Sequence, residues 1–250
     1  MDMDAEAAQR DHYDRIAGEY ETHYDDPSAR DYRRQFIEEP MLGGIDLAGR
    51  QVLEAMCVSG MTTAGLLDRG ARVTGLDISE ACMAAFRRRW PQCQAVCASI
   101  TNTGLPAESF DAAVVVGGLH HLQPNVAQGI DEIHRLLRPG GWFCFLEPHT
   151  GSLPDWFRRQ WYKRDMRFAR NEAAVDLESL KARYADRFDF VKELYCGNVG
   201  FLLVYNSMIF AVPLRLKPLY TPLCLRLESA INRLQGRRFA CIVICQWRKR

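Results

Sequence analysis

Residues 51–77, QVLEAMCVSGMTTAGLLDRGARVTGLD, constrain this chain more than any other segment. Gln51 to Met56 is a short apolar run with Glu54 inside it, Thr62 to Arg69 has the spacing of a short helix, and Ala71 to Leu76 returns to β-type residues. That order predicts a βαβ unit. In such a unit a ligand lies beyond the carboxyl ends of the strands, and an acidic residue closing the second strand is placed to accept hydrogen bonds from ribose hydroxyls. Asp77 holds that position, followed by Ile78. A dinucleotide fingerprint needs three glycines in the first turn, so that the backbone can approach a pyrophosphate. The turn from Glu54 to Gly60 contains only Gly60, which argues against that cofactor class.

The run Glu54-Ala55-Met56-Cys57-Val58-Ser59-Gly60 resembles the first motif of class I S-adenosylmethionine (SAM) methyltransferases, an acidic residue followed by glycines at alternate positions. Further segments carry the same resemblance in the family's order. Ser109 to Gln123, SFDAAVVVGGLHHLQ, looks like the fourth strand and the active-site loop after it. Asp131 to Glu147, DEIHRLLRPGGWFCFLE, looks like the following helix, a Pro-Gly-Gly turn and the fifth strand. Upstream, Tyr13-Asp14-Arg15-Ile16-Ala17 with Tyr20 is similar to the helical lid that closes over the cofactor in small-molecule methyltransferases. The resemblance covers roughly residues 10–150.

It implies an α/β, Rossmann-like, doubly wound seven-stranded sheet with an antiparallel last strand, an N-terminal helical lid and a helical insertion before the last strand. It implies SAM as cofactor, S-adenosylhomocysteine as product and no metal. The residues it assigns to the cofactor are Tyr13, Tyr20, Glu54, Met56, Cys57, Gly60, Asp77, Ile78, Ser99, Ile100 and Gly117. Two departures from the family pattern fall where the cofactor is expected to sit. Met56 and Val58 stand where the family has glycine, which there avoids crowding of the cofactor and permits positive φ. A β-branched Val58 is the more severe of the two. Ser99, at the end of the third strand, replaces an acidic partner of the adenine amino group with an uncharged acceptor.

Methyl transfer from a sulfonium is an in-line displacement, so alignment in a dry pocket is the main requirement. A hydroxyl nucleophile gains from a base, and histidine suits that work near neutral pH. His120 and His121 lie on the loop after the fourth strand; the resemblance favours His120 as substrate-facing and His121 as its packed partner. A scaffold role for His120 stays open beside the catalytic one. Glu147, closing the fifth strand, is placed to orient an imidazole, or alternatively to cap the next turn or bind a substrate hydroxyl. Tyr24, His149 and Trp156 are the candidates for substrate contact. Asp111 begins the fourth strand, at the end away from this cluster, so no metal constellation forms with it.

With 250 residues and 48% hydrophobic content the chain is long enough for one substantial core, and one domain is expected. Its divisions are a helical prelude (1–40), a cofactor core (41–150), a substrate-side segment with the sixth strand (151–196), an apolar and basic insertion (197–236) and the last strand (237–250). The nine cysteines include no CxxC pair, which excludes a zinc ribbon and points to free thiols in a reducing, cytoplasmic setting. The acidic, polar start MDMDAEAAQRD lacks a signal peptide's apolar core.

The net charge of +1 hides an asymmetry: residues 1–150 hold 13 Lys and Arg against 22 Asp and Glu, and residues 151–250 hold 19 against 9. The basic half suits an anionic or sugar-containing small-molecule acceptor, an anionic membrane surface, or simply solvent. Nucleic acid is not expected, because the basic residues form neither one stripe nor a known binding module. The insertion fits a pocket cap, a homodimer face or a membrane-surface segment, with cap or dimer favoured. Its first apolar stretch, Phe201 to Val212, is too short to span a bilayer. The sequence therefore points to a methyltransferase acting on a small-molecule hydroxyl, such as that of a glycoside, polysaccharide precursor or secondary metabolite. An N- or C-methyltransferase, or a non-catalytic binding protein with a weakened SAM site, remain the alternatives.

Overall fold

The computed structural model describes residues 10, 24–162, 173–207 and 213–250. Tyr13 and Tyr20 lie outside the described residues. Helix α1 (Pro27–Arg33) opens on Asp26, whose carboxylate accepts from the backbone of Ser28 and Ala29, and Pro27 supplies a preset φ at the first turn. It runs through a π-type turn, Arg34–Glu38, into α2 (Glu39–Leu42).

The βαβ unit predicted from residues 51–77 is present as β1 (Gln51–Ala55), α3 (Thr63–Asp68) and β2 (Arg72–Asp77). Then come α4 (Glu80–Arg89), β3 (Gln94–Cys97), β4 (Phe110–Val116), a 3₁₀ turn (Leu119–Leu122), α5 (Val126–Leu136) and β5 (Leu137–Pro148). The chain continues through α6 (Leu153–Tyr162), α7 (Leu177–Tyr184), β6 (Phe188–Cys196), α8 (Lys217–Asn232) and β7 (Ile242–Lys249). One seven-stranded sheet results, in the order β3-β2-β1-β4-β5-β7-β6. β1 to β5 pair in parallel, and β7 lies antiparallel between β5 and β6. The winding reverses between β1 and β4, where ligands bind in sheets of this kind.

Alternation along the central strands divides the core between the two faces of the sheet. Leu53, Ala113, Val115, Phe143 and Phe145 join one cluster with Trp247, and Val52, Val114, Cys144 and Leu146 join the other. Trp247 is fully enclosed and meets Phe143, Phe145, Phe188 and Phe190 at centroid distances of 4.8–6.0 Å.

Two boundaries differ from the sequence reading. The last strand, expected over 237–250, begins at Ile242, because its partner β5 ends where Pro148 faces Ile242; Arg237–Phe239 forms a 3₁₀ turn instead. The Pro139-Gly140-Gly141 turn is carried within β5, with Gly140 at φ 74° and a register shift opposite Phe110 and Ala112.

The insertion and the N-terminal helix form one packed unit. The buried carboxylate of Glu228 accepts from Tyr32 Oη at 2.7 Å, from the Asn198 amide at 3.0 Å and from the Gly200 amide at 2.9 Å. Tyr32 stacks on Tyr205 at 5.6 Å, and Lys217 bonds to Asp26. Glu228→Ala strips a buried hydroxyl and two buried amides of their acceptor, so it is expected to lower stability by about 3 kcal/mol, with a smaller loss for Glu228→Gln. Urea unfolding of the two variants measures this.

Candidate functional site

The loop after β1 is the most strained part of the described backbone. Met56 and Val58 take φ values of 55° and 52°, in the left-handed region, and Gly60 follows at 86°. The conformation for which glycine is normally chosen is therefore adopted here without it, at a cost of about 1–2 kcal/mol per residue. Its neighbours hold the loop in place. Val58 N–H donates to Asp77 Oδ2 at 2.9 Å, Cys57 N–H to the Leu76 carbonyl at 3.1 Å, and Gly60 N–H to the Cys57 carbonyl at 2.8 Å. Gly60 must stay small, since a Cβ there would fall 2.4 Å from Trp90 Nε1. Trp90 Nε1 donates to the Ser59 carbonyl at 3.1 Å, and Arg89 lies over the Trp90 ring at 5.0 Å while pairing with Asp25 at 2.7 Å. The segment before α1 is thereby tied to the loop.

Met56 has its own counterpart. A Cβ built on Gly118 would meet Met56 Sδ at 2.8 Å, so the side chain at 56 occupies room left by the glycine at 118. Below the loop, Glu54 is buried and accepts from the Thr62 amide at 2.7 Å and from Thr63 Oγ1. Burial pushes its pKa up to about 7 against the pull of those donors. Asp77, at the tip of β2, also accepts from the Ser79 amide at 3.0 Å. Ser99 Oγ shares a 2.8 Å bond with Thr101 Oγ1, Ile100 is buried in the core, and Ile78 accepts a contact from Cys97 Sγ. Gly117 (φ 64°) closes β4 beside His120.

The second half of the site is built on Glu147 at the end of β5. Its carboxylate is fully buried and accepts from the amides of Gly118 at 2.8 Å, Leu119 at 2.6 Å and His120 at 3.3 Å. His120 Nδ1 lies 2.8 Å from Oε2 of the same group. With the carboxylate as acceptor, Nδ1 carries the proton and Nε2 presents its lone pair. Burial pushes the Glu147 pKa up to about 7, opposed by the three backbone donors and by His121. The 3₁₀ turn packs the two imidazoles against each other, with centroids 3.9 Å apart and planes tilted by 37°.

The structure thus brings together Glu54, Met56, Cys57, Gly60, Asp77, Ile78, Ser99, Ile100, Gly117, His120, His121 and Glu147 around the carboxyl ends of β1 to β5. The three substrate candidates are placed differently. Tyr24 is buried, with its hydroxyl on Asn206 Oδ1 at 2.8 Å and its ring against Tyr205. His149 is buried, its ring nitrogens facing the carbonyls of Thr150 and Ala240 at 3.1 and 3.2 Å, and burial lowers its pKa. Trp156 stands exposed on α6. Asp111 sits at the opposite edge of the sheet, where it binds Arg138 and the Gln51 amide. The signals missed in the sequence are Gly118, whose small size admits Met56, and Trp90, which pins the first loop. Gly118 lies inside the fourth-strand motif but drew no notice there, and Trp90 belongs to no motif read from the sequence. Among the described residues no group of three or more His, Cys, Asp or Glu is arranged to hold a metal ion.

Residues 53–145 match the sequence profile of a methyltransferase domain family. A demethylmenaquinone methyltransferase of Beutenbergia cavernae is 34% identical over 108 residues, 43% of each chain. A ubiquinone biosynthesis O-methyltransferase of Alkalilimnicola ehrlichii is 33% identical over 109 residues, 42% of this chain and 43% of that one. The chain thus spans less than half the length of these two relatives. The crystal structure of N-methyltransferase NodS from Bradyrhizobium japonicum, in complex with S-adenosylhomocysteine, superposes with a TM-score of 0.56 over 90% of this chain and 89% of that one, at 18% identity. Residues 53–145 thus carry the match to a methyltransferase domain, and the seven-stranded architecture is a fold shared with NodS.

The elevated Glu54 pKa has a consequence for stability. An ordinary glutamate in the unfolded chain ionises near its usual value, whereas Glu54 holds its proton up to about 7, so the folded state binds more protons in between. Stability contributed by this group is full below the ordinary value and falls as pH rises through 7. The Tm is expected to drop between pH 5 and pH 8, and Glu54→Gln, which cannot ionise, is expected to flatten that drop. Thermal scans of both proteins across this range check it.

Proposed function

We propose that this chain transfers the methyl group of SAM to a hydroxyl of a small-molecule acceptor, with His120 as the base that receives the hydroxyl proton. The observation that carries this reading is the 2.8 Å contact between His120 Nδ1 and a Glu147 carboxylate that three backbone amides hold in place. When bound, SAM supplies an electrophilic methyl group on a sulfonium; the protein's part is to position the acceptor and manage its proton. Glu147 fixes the His120 tautomer, and Nε2 receives the proton as the acceptor oxygen attacks.

The loop residues fit the cofactor. Ser59 Oγ is buried and has no hydrogen-bond partner among the described residues, as expected of a group whose partner is a ligand. Asp77 stands at the tip of β2 for the ribose hydroxyls, Ser99 and Ile100 stand after β3 for the adenine, and Glu54 holds the first loop from below. Tyr13 and Tyr20 belong to this reading through the lid resemblance alone. The relatives' names include a ubiquinone O-methyltransferase, which supports oxygen as the accepting atom, and the basic half of the chain suits an anionic or sugar-containing acceptor. A glycoside, polysaccharide precursor or secondary metabolite supplies such a hydroxyl.

One observation favours a second reading, a non-catalytic binding protein. Val58 is buried in the left-handed region, and Met56 fills the gap beside Gly118, so both side chains stand in the loop that receives the cofactor. Calorimetric titration separates the two: micromolar binding of SAM and S-adenosylhomocysteine is expected, and no heat at millimolar SAM would support the second. Val58→Gly is expected to tighten SAM binding about tenfold, equivalent to relief of ~1.4 kcal/mol of crowding.

In turnover assays with hydroxylated acceptors, His120→Ala is expected to lower kcat by roughly 10²–10⁴-fold with the Kd for SAM unchanged. Activity is expected to rise with pH through about 7 as Glu147 ionises and accepts a hydrogen bond from His120 Nδ1–H, and Glu147→Gln is expected to abolish that limb. An unchanged kcat in His120→Ala would point to a nitrogen or carbon acceptor that needs no base.

A further inference from the structure

Helix α8 is built inside out. The positions that face the core are Lys217, Thr221, Cys224 and Glu228, spaced by four, three and four residues, and all are buried. Three of the four are polar yet satisfied, Lys217 by Asp26, Thr221 by the Lys217 carbonyl at 2.7 Å, and Glu228 by Tyr32 and two amides, while Cys224 joins the apolar core with Tyr220 and Leu225 packed beside it. The outward face carries Leu219, Leu223 and Leu227, four residues apart, at 80%, 61% and 42% exposure. A helix on a water-facing surface has the opposite arrangement, with its apolar stripe on the core.

Further apolar side chains are exposed outside the helix. Leu234 is 90% exposed and Phe239 56%, and the 3₁₀ turn that carries Phe239 lies against α6, from which Trp156 and Phe157 project into solvent. Apolar side chains exposed in this number mark an interaction face.

Its charge identifies the partner. Between residues 213 and 240 the sequence has a single acidic residue, Glu228, and that one is buried. Arg215, Arg226, Arg233 and Arg238 in the same stretch are exposed. The leucines are therefore bordered by exposed cations with no exposed carboxylate from the same segment. A symmetric dimer across this face would bring the arginines of one copy toward those of the other, which like-charge repulsion opposes.

We propose that α8, with the adjoining turn and α6, docks the protein on an anionic lipid bilayer. The leucines and aromatic rings enter the boundary between headgroups and acyl chains, and the arginines meet lipid phosphates. Leu219, Leu223 and Leu227 lie along one line of the helix, so the helix axis rests parallel to the membrane plane. Among the described residues no helix is long and apolar enough to cross a membrane, and docking in the plane requires none. This departs from the cap and dimer readings of the insertion, and it stands independently of methyl transfer.

The test is co-sedimentation of the full chain with vesicles of equimolar phosphatidylcholine and phosphatidylglycerol, and with vesicles of phosphatidylcholine alone. Binding to the anionic vesicles at low salt, weakening as salt is raised, is expected. The doubly substituted L219Q/L223Q protein is expected to bind at least tenfold more weakly. R226Q/R233Q is expected to lose roughly fivefold per arginine and to show a shallower salt dependence. All four side chains are exposed, so circular dichroism is expected to show unchanged folding in both variants. No binding at low salt, equal binding to both vesicle types, or wild-type binding by L219Q/L223Q would overturn the proposal. A wild-type dimer in light scattering that L219Q/L223Q converts to monomer would assign the face to a second copy instead.

Discussion

Everything at the carboxyl edge of the sheet depends on two carboxylates that have been taken out of water. Glu147 closes β5 and collects the amides of Gly118, Leu119 and His120, so the turn after β4 is held by a strand adjacent to its own. Glu54, on β1 two strands away, gathers the start of α3 after its own strand through Thr62 and Thr63. Neither group reaches solvent, and burial raises both pKa values to about 7. Buried carboxylates are expensive unless their lone pairs are filled. Filling them with backbone donors fixes the loops that form the site, so the desolvation that destabilises the acids is also what makes those loops rigid.

The first loop shows how such a site absorbs a departure from the usual sequence. Positive φ at Met56 and Val58 is sustained by hydrogen bonds from the loop to Asp77 and Leu76, which over-determine the backbone. The side chain of Met56 is admitted because residue 118 has none. These are long-range compensations: Gly118 lies after β4, and Trp90, which pins Ser59, follows α4.

The βαβ unit was legible because period and turn chemistry are local properties of the chain, and the seven-stranded architecture followed from the resemblance of its motifs to a known family. Boundaries were less so. β7 starts at Ile242 and not at Arg237 because a strand exists only where a neighbour pairs with it, and β5 ends opposite Ile242. Tyr24 and His149 read as polar residues near a site, yet the fold spends both on internal hydrogen bonds, Tyr24 to Asn206 and His149 to backbone carbonyls. Nothing in a one-dimensional pattern tells a ligand contact from a core contact when the residue type serves both.

α8 makes the same point most sharply. Its sequence, KPLYTPLCLRLESAIN, contains enough leucine to suggest a buried helix, but tertiary structure turns Lys217, Thr221 and Glu228 inward and the leucines out. The reason is that Asp26, Tyr32 and the amides of Asn198 and Gly200, distant in sequence, offer partners for the polar face. The sequence by itself determined the order of strands and helices and the acidic residues at the strand tips, since periodicity and spacing are written locally. Only the tertiary structure decided which acids are buried, which imidazole Glu147 holds and which face of the last helix is exposed, because hydrogen bonds and burial are set between residues up to two hundred positions apart.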